Sequence, residues 1–277
     1  MSAYEQTSRA RTSLGSPVIA VPGMCRIELL PPASYETTYT PAVPIIGFAF
    51  EAQTGRHSFA SSRRTPFQAT PNHLSVVPSG CDVYSQSGNG GEYLRIELDE
   101  GVSHRRTPER RFTNAIDARA IKAAHCIRRE VIAGHSDVLA CEQFVRVLSE
   151  RIVFFQNGEH DACRAGQWLT PRRLRLADEV IEARLAEKLT VQELASGLGL
   201  SAGFFSRAFK AAVGKAPHDY IVDRRLSRAR ALLRNQELDL TVIALAAGFA
   251  SHAHMTAVFR DRLGSTPSDI RRRMFQQ

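Results

Sequence analysis

The feature that most constrains the fold is a 12-residue pattern that occurs twice near the C-terminus, with the copies 50 residues apart. The first copy is FKAAVGKAPHDY at residues 209–220, and the second is FRDRLGSTPSDI at residues 259–270. Phe, Gly, Pro and Asp stand at the same offsets in both copies. Because recurrence at a fixed spacing indicates a repeated structural unit, we expect one supersecondary motif to be built twice.

Each copy of the pattern closes a pair of short helices. In the first pair, Thr190 is placed to cap a helix that ends at Gly199, and Ser201 is placed to cap the next helix. Gly248 and Ser251 take the corresponding positions in the second pair, where the turn is one residue longer. Two short helices joined by a tight turn with glycine form a helix-turn-helix. Its core is expected to take five aromatic side chains: Phe204, Phe205, Phe209, Phe249 and Phe259.

A single helix is expected to join the two units. Gly214 and Gly264 are suited to end the second helix of each unit, and Pro217 and Pro267 to start the helix that follows. Residues 217–235 would span roughly 28 Å as one helix. A connection of that length can hold two recognition helices about 34 Å apart, which is one turn of B-DNA.

The residues that carry a resemblance to a known family are LASGLGLSAGFFSRAFKAAVGKAPHDYI, RRLSRARALL and IALAAGFASHAHMTAVFRDRLGSTPSDIRRR. They resemble the AraC/XylS family of bacterial transcription regulators, and the resemblance extends over residues 172–277. It implies two helix-turn-helix units joined by one helix. It also implies a preceding cupin-like β-barrel with a helical dimerisation segment, and activation of transcription through RNA polymerase.

The expected fold is therefore an α+β chain of two domains. A mobile arm at residues 1–22 precedes a cupin-like β-barrel with a helical hairpin at residues 23–157, which senses an effector or dimerises. A linker at residues 158–171 leads to an all-α domain at residues 172–277. That domain contains the two helix-turn-helix units and the long helix between them.

The resemblance implies that the second helix of each unit contacts DNA. Base contacts are expected at Gly203, Ser206, Arg207, His252, Ala253, Thr256 and Ala257, and phosphate contacts at Ser201, Lys210, Ser251 and Arg260. Arg207 is the strongest candidate because a guanidinium can bind guanine O6 and N7 together. Ala257 departs from the family pattern, in which arginine is usual, so we expect weaker or more permissive readout by the second unit.

Residues 26–98 have the pattern of strands and turns. The runs IIGFAF at residues 45–50 and HLSVVPSG at residues 73–80 are short and apolar, and YLRIEL at residues 93–98 alternates. Asn89-Gly90 predicts a tight hairpin turn before the last run. A phosphate-binding glycine loop is disfavoured, because it requires a helix directly afterwards and an alternating strand follows here.

Apolar residues at helical spacing begin at Ile116. One stripe contains Ile116, Ala120, Ala124, Ile127 and Val131, and the next contains Val138, Cys141, Val145, Leu148, Ile152 and Phe155. The second stripe suits a heptad seam. Two interpretations stay open at this point: both helices cover the sheet, or one stripe forms a homodimer interface.

The positive charge lies almost wholly in the C-terminal part. Residues 166–277 contain 18 Lys/Arg against 11 Asp/Glu, whereas the first 165 residues contain 18 against 17. Such a distribution indicates a polyanionic partner, here double-stranded promoter DNA. Some of the arginines at 224, 225, 228 and 230 are expected to be merely solvated and the others to attract phosphate.

Several features favour a reduced, cytoplasmic protein without a membrane partner. The N-terminus lacks the apolar core of a signal peptide, and no stretch of about 18 apolar residues occurs. The five cysteines are scattered and without a C-x-x-C pair, so we expect thiols used in packing.

Alternative functions of the N-terminal half would be a metal enzyme or a module that only binds protein. A cupin-type metal enzyme would need a His-x-His pair and a histidine three residues after the Pro-Ser-Gly turn, where this chain has Val83. We therefore expect no enzyme, cofactor or metal, including at His252 and His254, whose side chains diverge on a helix. A module that only binds protein stays open. The effector is undetermined, and the candidate pocket residues are Arg56, His57, Arg63, Arg64, Tyr84 and Tyr93.

Overall fold

The computed structural model describes residues 16–99, 110–134, 137–158 and 168–276. The chain forms two compact units, the first of residues 1–131 and 135–161 and the second of residues 132–134 and 162–277. Most of the expected arm and of the expected linker lies outside the described residues. Residues 18–21, which were assigned to the arm, instead form a strand that pairs with the next one.

The first unit contains ten strands among its described residues. They are β1 (Val18–Val21), β2 (Cys25–Leu30), β3 (Tyr35–Tyr39), β4 (Ile45–Ala49), β5 (Gln53–Phe59), β6 (Thr65–Ala69), β7 (His73–Val77), β8 (Val83–Ser87), β9 (Tyr93–Leu98) and β10 (Phe112–Ala115). All pairs are antiparallel. The larger sheet has the order β1-β2-β9-β4-β7-β10, and the smaller one has the order β3-β8-β5-β6. Strand pairing among the described residues leaves the two sheets open, without closing them into one barrel.

The predicted hairpin at Asn89-Gly90 is wrong. Strand β8 pairs with β3 and β5 in the smaller sheet, while β9 pairs with β2 and β4 in the larger one. The loop between them therefore carries the chain from one sheet to the other. Its exit is held by the main-chain N–H of Glu92, which donates to a carboxylate oxygen of Glu51 at 3.2 Å. Tertiary contacts thus outweigh a local turn preference.

Two helices complete the first unit: α1 (Ala118–Ala133) and α2 (Val138–Gln156). In α2, Cys141, Val145, Leu148 and Ile152 are fully buried within the single chain, and α2 packs against β1. In α1, the His125 ring makes edge contacts with Phe48 of β4 and with Phe50. The apolar stripes consequently cover the larger sheet, which leaves the α2 stripe unavailable to a second copy.

The second unit contains seven helices among its described residues: α3 (Pro171–Ala183), α4 (Val191–Gly197), α5 (Ala202–Val213), α6 (Pro217–Leu232), α7 (Leu240–Ala246), α8 (His252–Leu263) and α9 (Pro267–Phe275). Helices α4 and α5 form the first helix-turn-helix, and α7 and α8 form the second. The connecting helix α6 has 16 residues, which makes it about 24 Å long and shorter than the sequence predicted. After its cap at Leu233, Asn235 turns the chain by accepting a hydrogen bond from the N–H of Glu237.

Each helix-turn-helix has its own apolar centre. In the first, Phe205 and Phe209 of α5 are buried against α3, α4 and the start of α6. In the second, Met255 and Phe259 of α8 are buried as well. Phe204 packs against the edge of the first core as a half-buried ring, and it meets the exposed Trp168 edge-on at 5.7 Å.

Candidate nucleic-acid interface and ligand cavity

The two recognition helices, α5 and α8, begin and end in the same way. The hydroxyl of Ser201 accepts the N–H of Phe204 at 3.3 Å, and that of Ser251 accepts the N–H of His254 at 3.1 Å. At the other ends Gly214 and Gly264 are left-handed, with φ of 77° and 65°. These caps are confirmed, and they give each helix the same 12-residue length.

The outer face of α5 presents the residues expected to contact bases. Gly203 and Arg207 are exposed, and Ser206 is half-buried. A methyl group at position 203 would lie 3.9 Å from Arg207 Nη1, so the arginine side chain runs back along the helix over the glycine. A methyl group at this distance would be in ordinary van der Waals contact with the guanidinium.

The outer face of α8 carries smaller and less basic groups. His252, Ala253 and Ala257 are exposed, and Thr256 is half-buried. The hydroxyl of Thr256 and Nε2 of His252 lie 3.3 Å apart, so these two side chains form one polar pair. Ala257 offers a methyl group alone, which can touch a thymine methyl but cannot hydrogen-bond to a base.

The four residues expected at phosphates flank these faces. Ser201 and Ser251 are exposed caps whose hydroxyl protons stay available, because the oxygen acts as acceptor in the cap. Lys210 and Arg260 are exposed in the last turns of the two helices. Serine hydroxyls and cationic side chains in such positions are among the groups that proteins use to bind phosphate.

The arginines of α6 have a role that sequence reasoning missed. Arg225 donates to the carbonyl oxygens of Leu185 at 3.0 Å and Glu187 at 2.7 Å, and Arg224 pairs with Glu182 of α3. Both are half-buried. They therefore bind α3 and the chain directly after it to the connecting helix, whereas the exposed Arg228 fits the solvated or phosphate-attracting role. The spacing alone could not distinguish these roles.

Gly248 forms the turn of the second helix-turn-helix, between α7 and α8. Its φ of 90° lies in the left-handed region, and a methyl group here would lie 2.1 Å from the carbonyl oxygen of Leu185 and 2.7 Å from Arg225 Nε. Gly199, its counterpart in the first unit, has φ of 68° and open space around the same position. The turn of the second helix-turn-helix thus packs on the main chain at Leu185 and on Arg225, and the turn of the first does not pack in this way.

The start of α4 is held by a capping box. The main-chain N–H and the hydroxyl of Thr190 donate to Glu193, whose own N–H donates back to the hydroxyl. Arg184 adds a contact to the same carboxylate at 2.9 Å. The hydrogen bonds from Thr190 and Arg184 lower the pKa of Glu193 to about 2. This carboxylate consequently stays ionised at neutral and mildly acidic pH.

A second candidate site is a cavity of about 140 Å³ between the two sheets. Of the six candidate pocket residues, His57 and Tyr93 line it, and Arg56, Arg63, Arg64 and Tyr84 do not. The rings of His57 and Phe67 are stacked at 4.9 Å, and the Tyr93 hydroxyl lies 3.2 Å from Ser75 Oγ. Among the described residues, no group of three His, Cys, Asp or Glu side chains is placed to hold a metal ion.

Comparison with known proteins finds a family match within the second unit. A family profile described as a helix-turn-helix domain matches residues 194–273. A probable transcriptional regulator, LumQ of Photobacterium leiognathi, is 33% identical over 93 residues, which are 34% of this chain and 38% of that protein. The transcriptional activator RhaS of Escherichia fergusonii is 30% identical over 146 residues, covering 52% of each protein. The matched part thus spans between a third and about half of these curated relatives.

Two solved structures are similar in sequence to part of this chain. An AraC-type transcriptional regulator from Chromobacterium violaceum is 32% identical and matches 38% of this chain and 94% of that one, with a TM-score of 0.36. The DNA-binding domain of AdpA in complex with a target DNA is 28% identical and matches 38% and 96%, with a TM-score of 0.35. No helix in the described ranges has the length and apolar character to cross a membrane.

The matched relatives are named as transcription regulators and not as enzymes. The family match falls on the two helix-turn-helix units that the repeat predicted and the structure contains. Over part of its length, the chain is similar to transcription regulators of the AraC type.

Proposed function

We propose that the protein is a sequence-specific transcription regulator that binds promoter DNA through α5 and α8. The observation that carries the proposal is the pair of equally long, equally capped helices, each with an exposed polar face and a basic residue in its last turn. A basic second unit supplies attraction for the phosphate backbone. Two helices read two successive major grooves in this arrangement.

The proposed roles differ between the two helices. Arg207 reads a guanine, with Gly203 and Ser206 beside it, and Lys210 and Ser201 hold phosphate. In α8, His252 and Thr256 make polar base contacts, Ala253 and Ala257 contact the groove by packing, and Ser251 and Arg260 hold phosphate. The absence of an arginine at position 257 makes the second half-element more permissive.

The test is selection of random double-stranded DNA by the full-length protein at two salt concentrations. We expect a motif with two elements about one helical turn apart, and loss of one guanine preference in Arg207→Ala at a cost of about 1–3 kcal/mol. Lys210→Ala should weaken binding to all sequences alike and reduce the salt slope by about one.

A matched control is Arg63→Ala, which removes the same charge from an exposed position in the first unit. It should leave the selected motif unchanged. Binding without any enriched motif, vanishing steeply with salt in all variants, would contradict sequence-specific recognition and leave only a cationic surface.

The first unit is proposed to be a cupin-like sensing domain. Two antiparallel sheets with a cavity between them support this proposal. We also propose a homodimer in the cytoplasm that activates transcription by contacting RNA polymerase. Dimerisation would use a surface other than the buried α2 stripe. An effector then acts by favouring one arrangement of the two DNA-binding domains over another.

A further inference from the structure

The inner faces of the two sheets are unusually polar for a sandwich. Residues on one face of a strand recur every second position, and the odd-numbered residues of β3, β7 and β9 face the cavity. They are Tyr35, Thr37, Tyr39, His73, Ser75, Val77, Tyr93 and Arg95. The even-numbered residues of β4, β7 and β9, such as Phe48, Leu74 and Leu94, lie on the opposite face and are part of the apolar core. The face of the larger sheet towards the cavity is therefore largely polar, and the smaller sheet supplies the apolar Phe59, Phe67 and Val83.

The cavity has room for about one six-membered ring. Its volume of about 140 Å³ is close to the roughly 150 Å³ of an engineered apolar cavity that accepts benzene. Aromatic rings form much of the wall, with Phe59 and Phe67 beside the stacked His57. Aromatic walls favour an aromatic guest through offset or edge contacts.

Tyrosine and serine hydroxyls supply hydrogen bonds inside the cavity. The hydroxyls of Tyr35 and Ser85 lie 3.1 Å apart, and those of Tyr93 and Ser75 lie 3.2 Å apart. Each such pair can rotate a proton toward a guest and accept one in return. Gly47 makes room for one of them, since a methyl group there would lie 1.6 Å from the Tyr93 hydroxyl.

The cavity offers little net positive charge to an anion. Its one arginine, Arg95, is paired with Glu97 at 2.6 Å and Glu28 at 3.7 Å. Burial lowers the pKa of His73 to about 4, and burial and the nearby Arg111 lower that of His57. Both histidines are thus neutral at pH 7. Arg111 is not among the residues that line the cavity, so an anion that entered would lose its hydration and meet only an arginine that is already paired.

We propose that this cavity binds a small uncharged aromatic compound of one ring that carries a hydroxyl group, a phenol. The ring packs among Phe59, Phe67 and His57, and its hydroxyl bonds to the Tyr35–Ser85 pair. This ligand class rests on the proposed sensing role of the first unit. Binding to the cavity is nevertheless measurable without DNA, so the two proposals can fail separately.

The test is calorimetric titration of the full-length protein at pH 7.5 with phenol, benzoate, toluene and inositol. We expect phenol to bind with a dissociation constant below about 1 mM. Toluene, which lacks the hydroxyl, should bind at least about fivefold more weakly. Benzoate should bind at least about tenfold more weakly, because its charge must be desolvated.

Matched variants distinguish an effect on ligand binding from an effect on folding. Tyr35→Phe removes a cavity hydroxyl and should weaken phenol about fivefold or more. Tyr84→Phe removes a hydroxyl that bonds to Glu36 at 3.0 Å away from the cavity, and it should leave phenol binding unchanged. Thermal unfolding of both variants without ligand verifies that each is folded.

Three results would overturn the proposal. Absence of binding heat with about 5 mM phenol would show that the cavity does not bind phenol, whatever the outcome of DNA selection. Tighter binding of benzoate than of phenol would replace the uncharged class by an anionic one. Tighter binding of inositol would replace the aromatic class by a polyol.

Discussion

Replacing Gly248 by alanine should destabilise the DNA-binding domain far more than the same change at Gly199. The left-handed backbone costs a non-glycine residue about 1–2 kcal/mol at either position. At position 248 the methyl group would also lie 2.1 Å from the carbonyl oxygen of Leu185. The turn must move away, and Arg225 can then no longer reach the Leu185 carbonyl it now bonds at 3.0 Å.

A hydrogen bond from a charged donor contributes about 1.5–3 kcal/mol. Gly248→Ala should therefore cost about 3–5 kcal/mol, a large share of the roughly 5–15 kcal/mol by which a domain is stable. Gly199→Ala should cost only the backbone part, since its surroundings are open. The pair forms a matched control, because both changes restrict the unfolded chain equally.

Trp168 is the single tryptophan of the chain and meets Phe204 of α5. Its fluorescence during urea unfolding of the full-length protein therefore reports on the second unit. The expected result is a midpoint lowered much more by Gly248→Ala than by Gly199→Ala. Equal midpoints for the two variants would refute the argument that the turn at Gly248 packs against Leu185 and Arg225.

Three further predictions concern charge and readout. The pKa of Glu193 lies near 2 in the folded protein and near 4.5 in the unfolded chain, so its contribution to stability is present above about pH 4.5 and is lost as the pH falls toward 2. Glu193→Gln should reduce this loss of stability in acid, measured by the Trp168 fluorescence. An unchanged dependence of stability on pH would contradict the prediction. Arg128→Met should lower the free energy of unfolding by about 3–5 kcal/mol, because it removes the cation that faces the buried Glu92. The two groups lie 2.5 Å apart, with side chains 3% and 1% exposed. Adding Glu92→Gln should restore most of the lost stability, measured by urea unfolding followed by circular dichroism. Ala257→Arg should sharpen base preference in the second half-element by about tenfold, measured by DNA selection, and an unaltered motif would argue against groove contact there.

Most of the second unit could be predicted from the sequence, because its signals act over a few residues. Ser201, Ser251, Gly214 and Gly264 specify helix ends by hydrogen bonds and backbone conformation that depend on local chain alone. The exposed positions of Gly203 and Arg207 follow from helical periodicity. The end of α6 was misplaced because Leu233 and Arg234 are compatible with a helix, and only the turn at Asn235 ends it.

The first unit was predicted less completely, because its organisation depends on distant pairing. The strand runs were found, yet Asn89-Gly90 crosses between sheets where a hairpin was expected. Nothing in a local turn preference says which sheet the next strand will join. The same holds for Arg224 and Arg225, whose partners lie about 40 residues earlier in the chain.

The sequence by itself determined the repeat, the capped helices and the basic surface of the DNA-binding domain. Only the tertiary structure decided what the polar faces of the strands do. Tyr93 and Arg95 alternate with Leu94 and Ile96, and such an alternation ordinarily predicts a face in contact with solvent. Here a second sheet covers that face and encloses a cavity. Period-two patterning records which residues share a face, but the covering sheet is formed by strands far away in the chain.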